Sequence, residues 1–268
     1  AAREGFPRAH EALWLQATWL LLHRRCLLRG ETDRAQVLSS SMASMLVPAV
    51  SPAAHLAAEQ ARAATALHCG DPQRARDMLL RLQSSTLMAR CQPAEQLTLL
   101  LAIVRAYSCA GDTMTALPLA LRALWMCEQR GLDGLAASSG LQVAKLFISL
   151  RLSSKAVALL RNVLPVIQTS APIEERAEAN MVMATALLNE NSTATSSETL
   201  RSAASYLDKA IQAYRLADRH EQVAEACHWQ ALVANALGDH VRRNATASML
   251  WEAEEQLARA RTRPVSLV

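Results

Sequence analysis

Glycine and proline are scarce in this chain, 8 and 9 of 268 residues, and aromatic residues make up only 4% of it. β-Sandwiches and barrels draw on aromatic and β-branched side chains and on many Gly/Pro turns, so that scarcity excludes them. Lysine is nearly missing: of 28 basic residues only Lys145, Lys155 and Lys209 are not Arg. The net charge of +4 is too small to mark a nucleic-acid partner. Long hydrophobic runs are lacking too. The most apolar stretch, Leu97 to Val104, falls far short of the roughly 20 residues a membrane helix needs, so no membrane association is expected. The six cysteines, Cys26, Cys69, Cys91, Cys109, Cys127 and Cys227, include no CxxC pair. Structural zinc needs close-spaced ligand pairs, so no metal is expected. Dispersed thiols in such a chain read as small buried hydrophobes in a reducing compartment, and the default location is nucleus and cytoplasm.

What is present is alanine (51) and leucine (42), together over a third of the chain. Both are strong helix formers, and a chain 51% hydrophobic and 19% charged can bury a sizeable core. The expected class is all-α.

A repeat runs through it. Leu28-Arg-Gly30-Glu-Thr-Asp-Arg-Ala35, His68-Cys-Gly70-Asp-Pro-Gln-Arg-Ala75 and Cys109-Ala-Gly111-Asp-Thr-Met-Thr-Ala116 each set Ala five residues after Gly. A fourth copy ends in Ala156 and has Arg151 where the others have Gly. Weaker copies centre on Ala204 and on Gly238 with a displaced Ala245. The alanines at 35, 75, 116 and 156 lie about 40 residues apart. Glycine past a helix end accepts the left-handed backbone that closes the helix, and Asp or Thr after it caps the next. Ser153 or Ser154 is the candidate cap in the fourth copy. The Ala lets the second helix approach the first closely. Each repeat is then a helix hairpin whose apolar faces are buried only by stacking on neighbours.

Twelve helices are expected: 9–29, 32–46, 53–69, 72–89, 93–110, 113–130, 133–150, 153–168, 172–189, 199–217, 219–237 and 239–262. Pro118 and Pro165 fall inside two of them and should kink them, because each removes a backbone donor. The spacing and turn resemble tetratricopeptide (TPR) repeats, whose period is about 34 residues, with longer helices or loops here. The expected architecture is therefore a TPR-like helix-hairpin solenoid, or superhelix, of about six repeats of ~40 residues. It is expected as one domain over 1–268, the C-terminal part of a longer chain.

The last repeats resemble a particular family. Ala156-Val-Ala-Leu-Leu-Arg-Asn-Val-Leu-Pro165 and Glu175-Arg-Ala-Glu-Ala-Asn-Met-Val-Met-Ala-Thr-Ala precede a Ser/Thr-rich insert at 191–199. Ala203-Ala-Ser-Tyr-Leu-Asp-Lys-Ala-Ile-Gln-Ala-Tyr214 and Ala231 to Asn244 follow it. In order and insert this resembles the C-terminal end of the anaphase-promoting complex subunit 5 family, over about 100–268. The resemblance implies a non-catalytic scaffold of a multisubunit RING-type E3 ubiquitin ligase in cell-cycle control. Its implied partners are the largest scaffold subunit, subunit 4 and the other TPR subunits. Two alternatives stay open: a TPR-type peptide-binding adaptor, and the helical regulatory domain of a bacterial transcription activator.

The sequence contains no HExxH, GxSxG, GxxxxGK[ST] or GxGxxG motif, so no enzyme, catalytic residue or cofactor is expected. His220 and His228, eight residues apart, read as surface or packed side chains. His23-Arg24-Arg25, Arg242-Arg243 and Arg259 to Arg263 read as solvated faces, without the aromatics of a nucleic-acid reader. Trp14, Trp19, Trp125, Trp229 and Trp251 are expected in the core, and any exposed one would be an interface anchor. The segment 191–199 is expected to be a loop, a linker with enough hydroxyls to accept phosphate. The residues singled out are structural: Gly30, Ala35, Gly70, Ala75, Gly111, Ala116, Ala156 and Gly238.

Overall fold

The computed structural model describes residues 17–27, 31–45, 52–190 and 196–262. Among these the chain is all-helical, with no strand. In order the helices are α1 (17–27), α2 (Thr32–Met45), α3 (Pro52–His68) and α4 (Pro72–Gln83). A 3-10 turn, η1 (Thr86–Arg90), follows, then α5 (Pro93–Cys109), α6 (Thr113–Gln129), α7 (Asp133–Ser149) and α8 (Ser153–Ser170). The last four are α9 (Ile173–Glu190), α10 (Ser197–Leu216), α11 (His220–Ala236) and α12 (His240–Thr262). One domain over 1–268 was the expectation. The residues cluster into two compact units, Ala1–Leu119 and Ala120–Val268, with the division inside α6.

Six of the joints share one closure. The residue after the helix end has a left-handed backbone: Gly70, Gly111, Gly131, Arg151, Asp218 and Gly238 have φ between 58° and 78°. In each, the amide of the following residue donates to the carbonyl five residues back, as Asp71 to Ala66, Leu152 to Phe147 and Arg219 to Tyr214. This is the Schellman closure, which satisfies carbonyls the helix leaves unpaired. Glu31 makes the same bond to Cys26; Gly30, between them, lies outside the described residues. Next-helix caps follow. Asp71 accepts from the Arg74 amide at 3.0 Å, Asp112 from Thr115 at 3.1 Å and Asp239 from Arg242 at 2.9 Å. In the fourth copy the cap expected from Ser153 or Ser154 is not made. Leu152 occupies the cap position without a side-chain bond, and Ser153 is buried as the first residue of α8.

The repeat alanines Ala35, Ala75, Ala116 and Ala156 are all fully buried, and Ala204 nearly so. Ala245 is exposed, and Thr246 takes the buried place beside it. Core in the first unit gathers around Leu56, Leu79, Leu99 and Ile103, where α3, α4 and α5 meet. In the second, Leu141, Leu160, Met183, Leu207 and Cys227 bring together α7 to α11. Neither Pro118 nor Pro165 ends its helix; both lie inside continuous α6 and α8. Gly140 lets α7 lie close against α8, since a Cβ there would stand 2.7 Å from Val163 Cγ1.

One helix differs from its expected length. Helix α4 stops at Gln83 rather than near 89. The Ser84 and Ser85 hydroxyls donate back to the carbonyls of Arg81 and Leu82, at 3.0 and 2.6 Å. Local bonds of this kind compete with the helical ladder and let the backbone leave it. The chain then turns through η1, whose Leu87 is buried, before Glu95 accepts the Gln92 amide at 2.7 Å to start α5.

Candidate functional site

The early end of α4 opens a recess of about 500 Å³ in the first unit, between α3, α4 and η1. Helix α3 contributes His55, Glu59 and Arg62, one turn apart along one face. Helix α4 contributes Met78, Arg81 and Leu82, and the turn adds Ser85, Thr86, Leu87 and Arg90. Leu82 and Leu87 are buried and Met78 half-buried, so these three give the recess an apolar floor. Arg81 and Arg90 are exposed, while Arg62 pairs with Glu59 at 2.9 Å. Three guanidiniums against one carboxylate leave two positive charges over that floor. The Nδ1 atom of His55 is buried and has no hydrogen-bond partner. Sequence reasoning missed this constellation because the three arginines form no motif. They come together only when α4 ends early. The Ser84-Ser85-Thr86 run, with its tendency toward local side-chain bonds, was the available signal.

A second, smaller recess of about 280 Å³ lies in the other unit, beside Gly134, Ser138, Ile167, Pro172 and Glu175. Ser138 donates to Glu175 beside it, and Lys145 bonds Glu178 at 2.5 Å further along the same pair of helices, α7 and α9. These polar ties are consumed within the fold and leave less for a ligand.

The tryptophans divide. Trp125 and Trp251 are 61% and 72% exposed, against the core positions expected of them, while Trp19 and Trp229 are half-buried. Trp14 lies outside the described residues. Trp125 faces outward because α6 buries its Ala116, Ala120, Ala123 and Cys127 edge, and Leu121 shares the exposed side. The cysteines divide too. Cys91, Cys127 and Cys227 are buried, whereas Cys69 and Cys109, each just past or at a helix end, are exposed. Burial pushes the Cys127 thiol up and that of Cys227 to about 11, so both stay protonated and unreactive at neutral pH.

His220 pairs with Asp218 at 3.0 Å and His228 meets the edge of Trp229. His23, in the first basic cluster, is buried and bonds Thr65 at 2.8 Å; burial and then the nearby His68 lower its pKa. Arg242, in the second, bonds Asp208 rather than standing free. Of the Ser/Thr-rich segment, 191–195 lies outside the described residues. Ser196 caps α10 by accepting the Thr199 amide at 3.1 Å, so the segment's end is helix rather than loop. Among the described residues no group of three His, Cys, Asp or Glu could hold a metal ion, and no helix is long and apolar enough to cross a membrane.

No family model and no curated protein matches the sequence. Solved structures do. Kinesin-light-chain TPR-like repeats from Podosopora anserina superpose with a TM-score of 0.53 at 16% identity, covering 79% of this chain and 99% of theirs. BtubC (BKLC) from P. vanneervenii gives 0.59 at 16%, covering 90% and 96%. NprR, solved in complex with its cognate peptide NprX, gives 0.62 at 14%, covering 97% and 76%. The chain therefore has the TPR-like helix-hairpin fold of the α-solenoid class. Identities this low establish the fold and nothing finer.

Proposed function

We propose that the chain is a non-catalytic scaffold that holds other proteins through its helix faces, and that its assembly is the anaphase-promoting complex, where it serves as subunit 5 in nucleus and cytoplasm. The observation that carries the scaffold reading is the exposure of Trp125 and Trp251. Large aromatic side chains left outside the core are the usual anchors of protein interfaces. The choice of assembly rests on the sequence resemblance of the last repeats. Helices α8 to α12 support it, since they carry the resembling segments in order, with the insert falling between α9 and α10. The test is affinity purification of the full-length tagged protein from its native cells, with mass spectrometry after size exclusion. Recovery in a megadalton particle with cullin-like and RING subunits is expected, and a Trp125→Ser/Trp251→Ser variant should lose part of it. Elution alone would sink the scaffold reading.

A peptide-binding adaptor is the second reading, and the cationic recess favours it. NprR is solved with a peptide bound, which makes the same use of this fold physically reasonable. That adaptor would bind a short peptide as a soluble monomer.

A further inference from the structure

We propose that the recess between α3, α4 and η1 is a docking site for an acidic peptide segment of a partner protein, one that presents carboxylates beside an aliphatic side chain. This rests on the protein-interaction reading but not on which assembly the chain joins. Three features specify the occupant. The first is charge. Arg81 and Arg90 rise from the end of α4 and from η1, form no ion pair among the described residues, and flank Arg62, whose charge Glu59 offsets. A guanidinium offers paired donors that fit a carboxylate with two parallel bonds, so two free forks select two carboxylate groups or a carboxylate and a chain terminus.

The second feature is the floor. Met78, Leu82 and Leu87 are apolar, and a volume near 500 Å³ accommodates a few side chains. A small hydrophilic anion would leave this floor wet, whereas an aliphatic side chain next to the carboxylate covers it. No Phe, Tyr or Trp lines the recess to form a stacking platform for bases, which disfavours a nucleic acid. The third feature is the His55 ring, which lines the recess while its Nδ1 is buried and has no partner. A buried polar atom left unpaired costs free energy, so a ring turned to meet a peptide amide or carbonyl would lose nothing inside the fold. The remaining hydroxyls are committed or peripheral: Ser85 donates to Leu82, and Thr86 is exposed at the edge.

The experiment is fluorescence anisotropy on the whole 268-residue chain with a fluorescein-labelled octapeptide of alternating Glu and Leu. The same peptide with Gln for Glu, inorganic phosphate and an oligouridylate serve as comparisons. The Glu peptide should bind, the Gln peptide should bind at least about tenfold more weakly, and affinity should fall with added salt. Arg81→Glu/Arg90→Glu should weaken the Glu peptide at least about tenfold. Arg161→Glu, an exposed reversal on α8, should change it less than twofold. Both reversals are at the surface, and circular dichroism confirms that they fold. Equal binding of the two peptides, or no effect of the double reversal, overturns the proposal. So does displacement of the peptide by phosphate or oligouridylate at the peptide's own concentration. If peptide binding fails while the purified particle is still recovered, only this site falls. If the particle fails while the peptide binds, the scaffold reading falls and the site stands.

Discussion

Arg151 adopts a backbone that glycine takes freely, with φ of 60°, at the place where four other copies of the repeat have Gly. A left-handed conformation costs a side-chain-bearing residue about 1–2 kcal/mol. Arg151→Gly should therefore stabilise the protein by about 1 kcal/mol, less what glycine loses in unfolded-chain entropy. Thermal melting should rise by about 2–4 °C, and a fall would mean that the Arg side chain holds the turn by a contact of its own. Gly140 sits at the other extreme. A methyl there meets the stiff, β-branched Val163, so Gly140→Ala should cost about 1–3 kcal/mol, with partial recovery in Gly140→Ala/Val163→Ala. His23 predicts a pH response. Burial holds its folded pKa below the ordinary imidazole value of 6.5, so folded protein binds fewer protons than unfolded chain. The stability its neutral form supplies is present above about pH 7 and is lost as pH falls through 6.5 toward the lowered value. Urea midpoints at pH 7.5 and 5.5 should differ less in His23→Gln; an unchanged difference would place the response elsewhere.

At the level of helices, the sequence and the structure agree best where turn chemistry is explicit. From α5 to α8 the boundaries fall within about two residues of the positions marked by Gly, Asp and Pro. Agreement fails at α4, because the Ala/Leu period has no way to register two serine hydroxyls bonding back on the helix. The cationic recess depends on that break, so it was invisible for the same reason. The tryptophans were misplaced for a different reason. In helices this rich in Ala and Leu, apolar residues occupy every face, and the period does not say which face the neighbour covers. Polar side chains are clearer markers in the structure than they were in the sequence. Gln230, 1% exposed, donates to Asp208 at 2.6 Å, and Arg242 bonds the same carboxylate, tying α10, α11 and α12 together. Asp208→Ala leaves the Gln230 amide only the Ala204 carbonyl, at 3.4 Å, and should cost about 1–3 kcal/mol. A cost no larger than that of Asp218→Ala on the adjoining joint would show that water replaces the carboxylate.

Across the whole molecule, the two units have separate cores, one around Leu79 and Leu99 and one around Leu160 and Leu207. In stacked hairpins stability is a sum of local terms, so damage to one core need not spread. Leu160→Ala should cost about 2–5 kcal/mol in the second unit. Hydrogen exchange should quicken across α7 to α10 while α3 and α5 keep their protection. Uniform loss of protection would mean that the units unfold together. The TPR-like class was legible because it needs only a period and a turn. The recess, like the exposed tryptophans, needed the helices to be laid against each other first.

The six shared turns also carry a lesson about evolution by insertion and deletion. A helix end closed by a bond from the residue after a left-handed position fixes the length of the joint. One residue more or less would swing the next helix by about 100° about its axis and take its alanine edge off its neighbour. Among the described joints, those between α4 and α5 and between α8 and α9 have no such closure. Among homologues, changes of chain length should gather at those two places, and an engineered tag should be tolerated there before at any of the six closed turns.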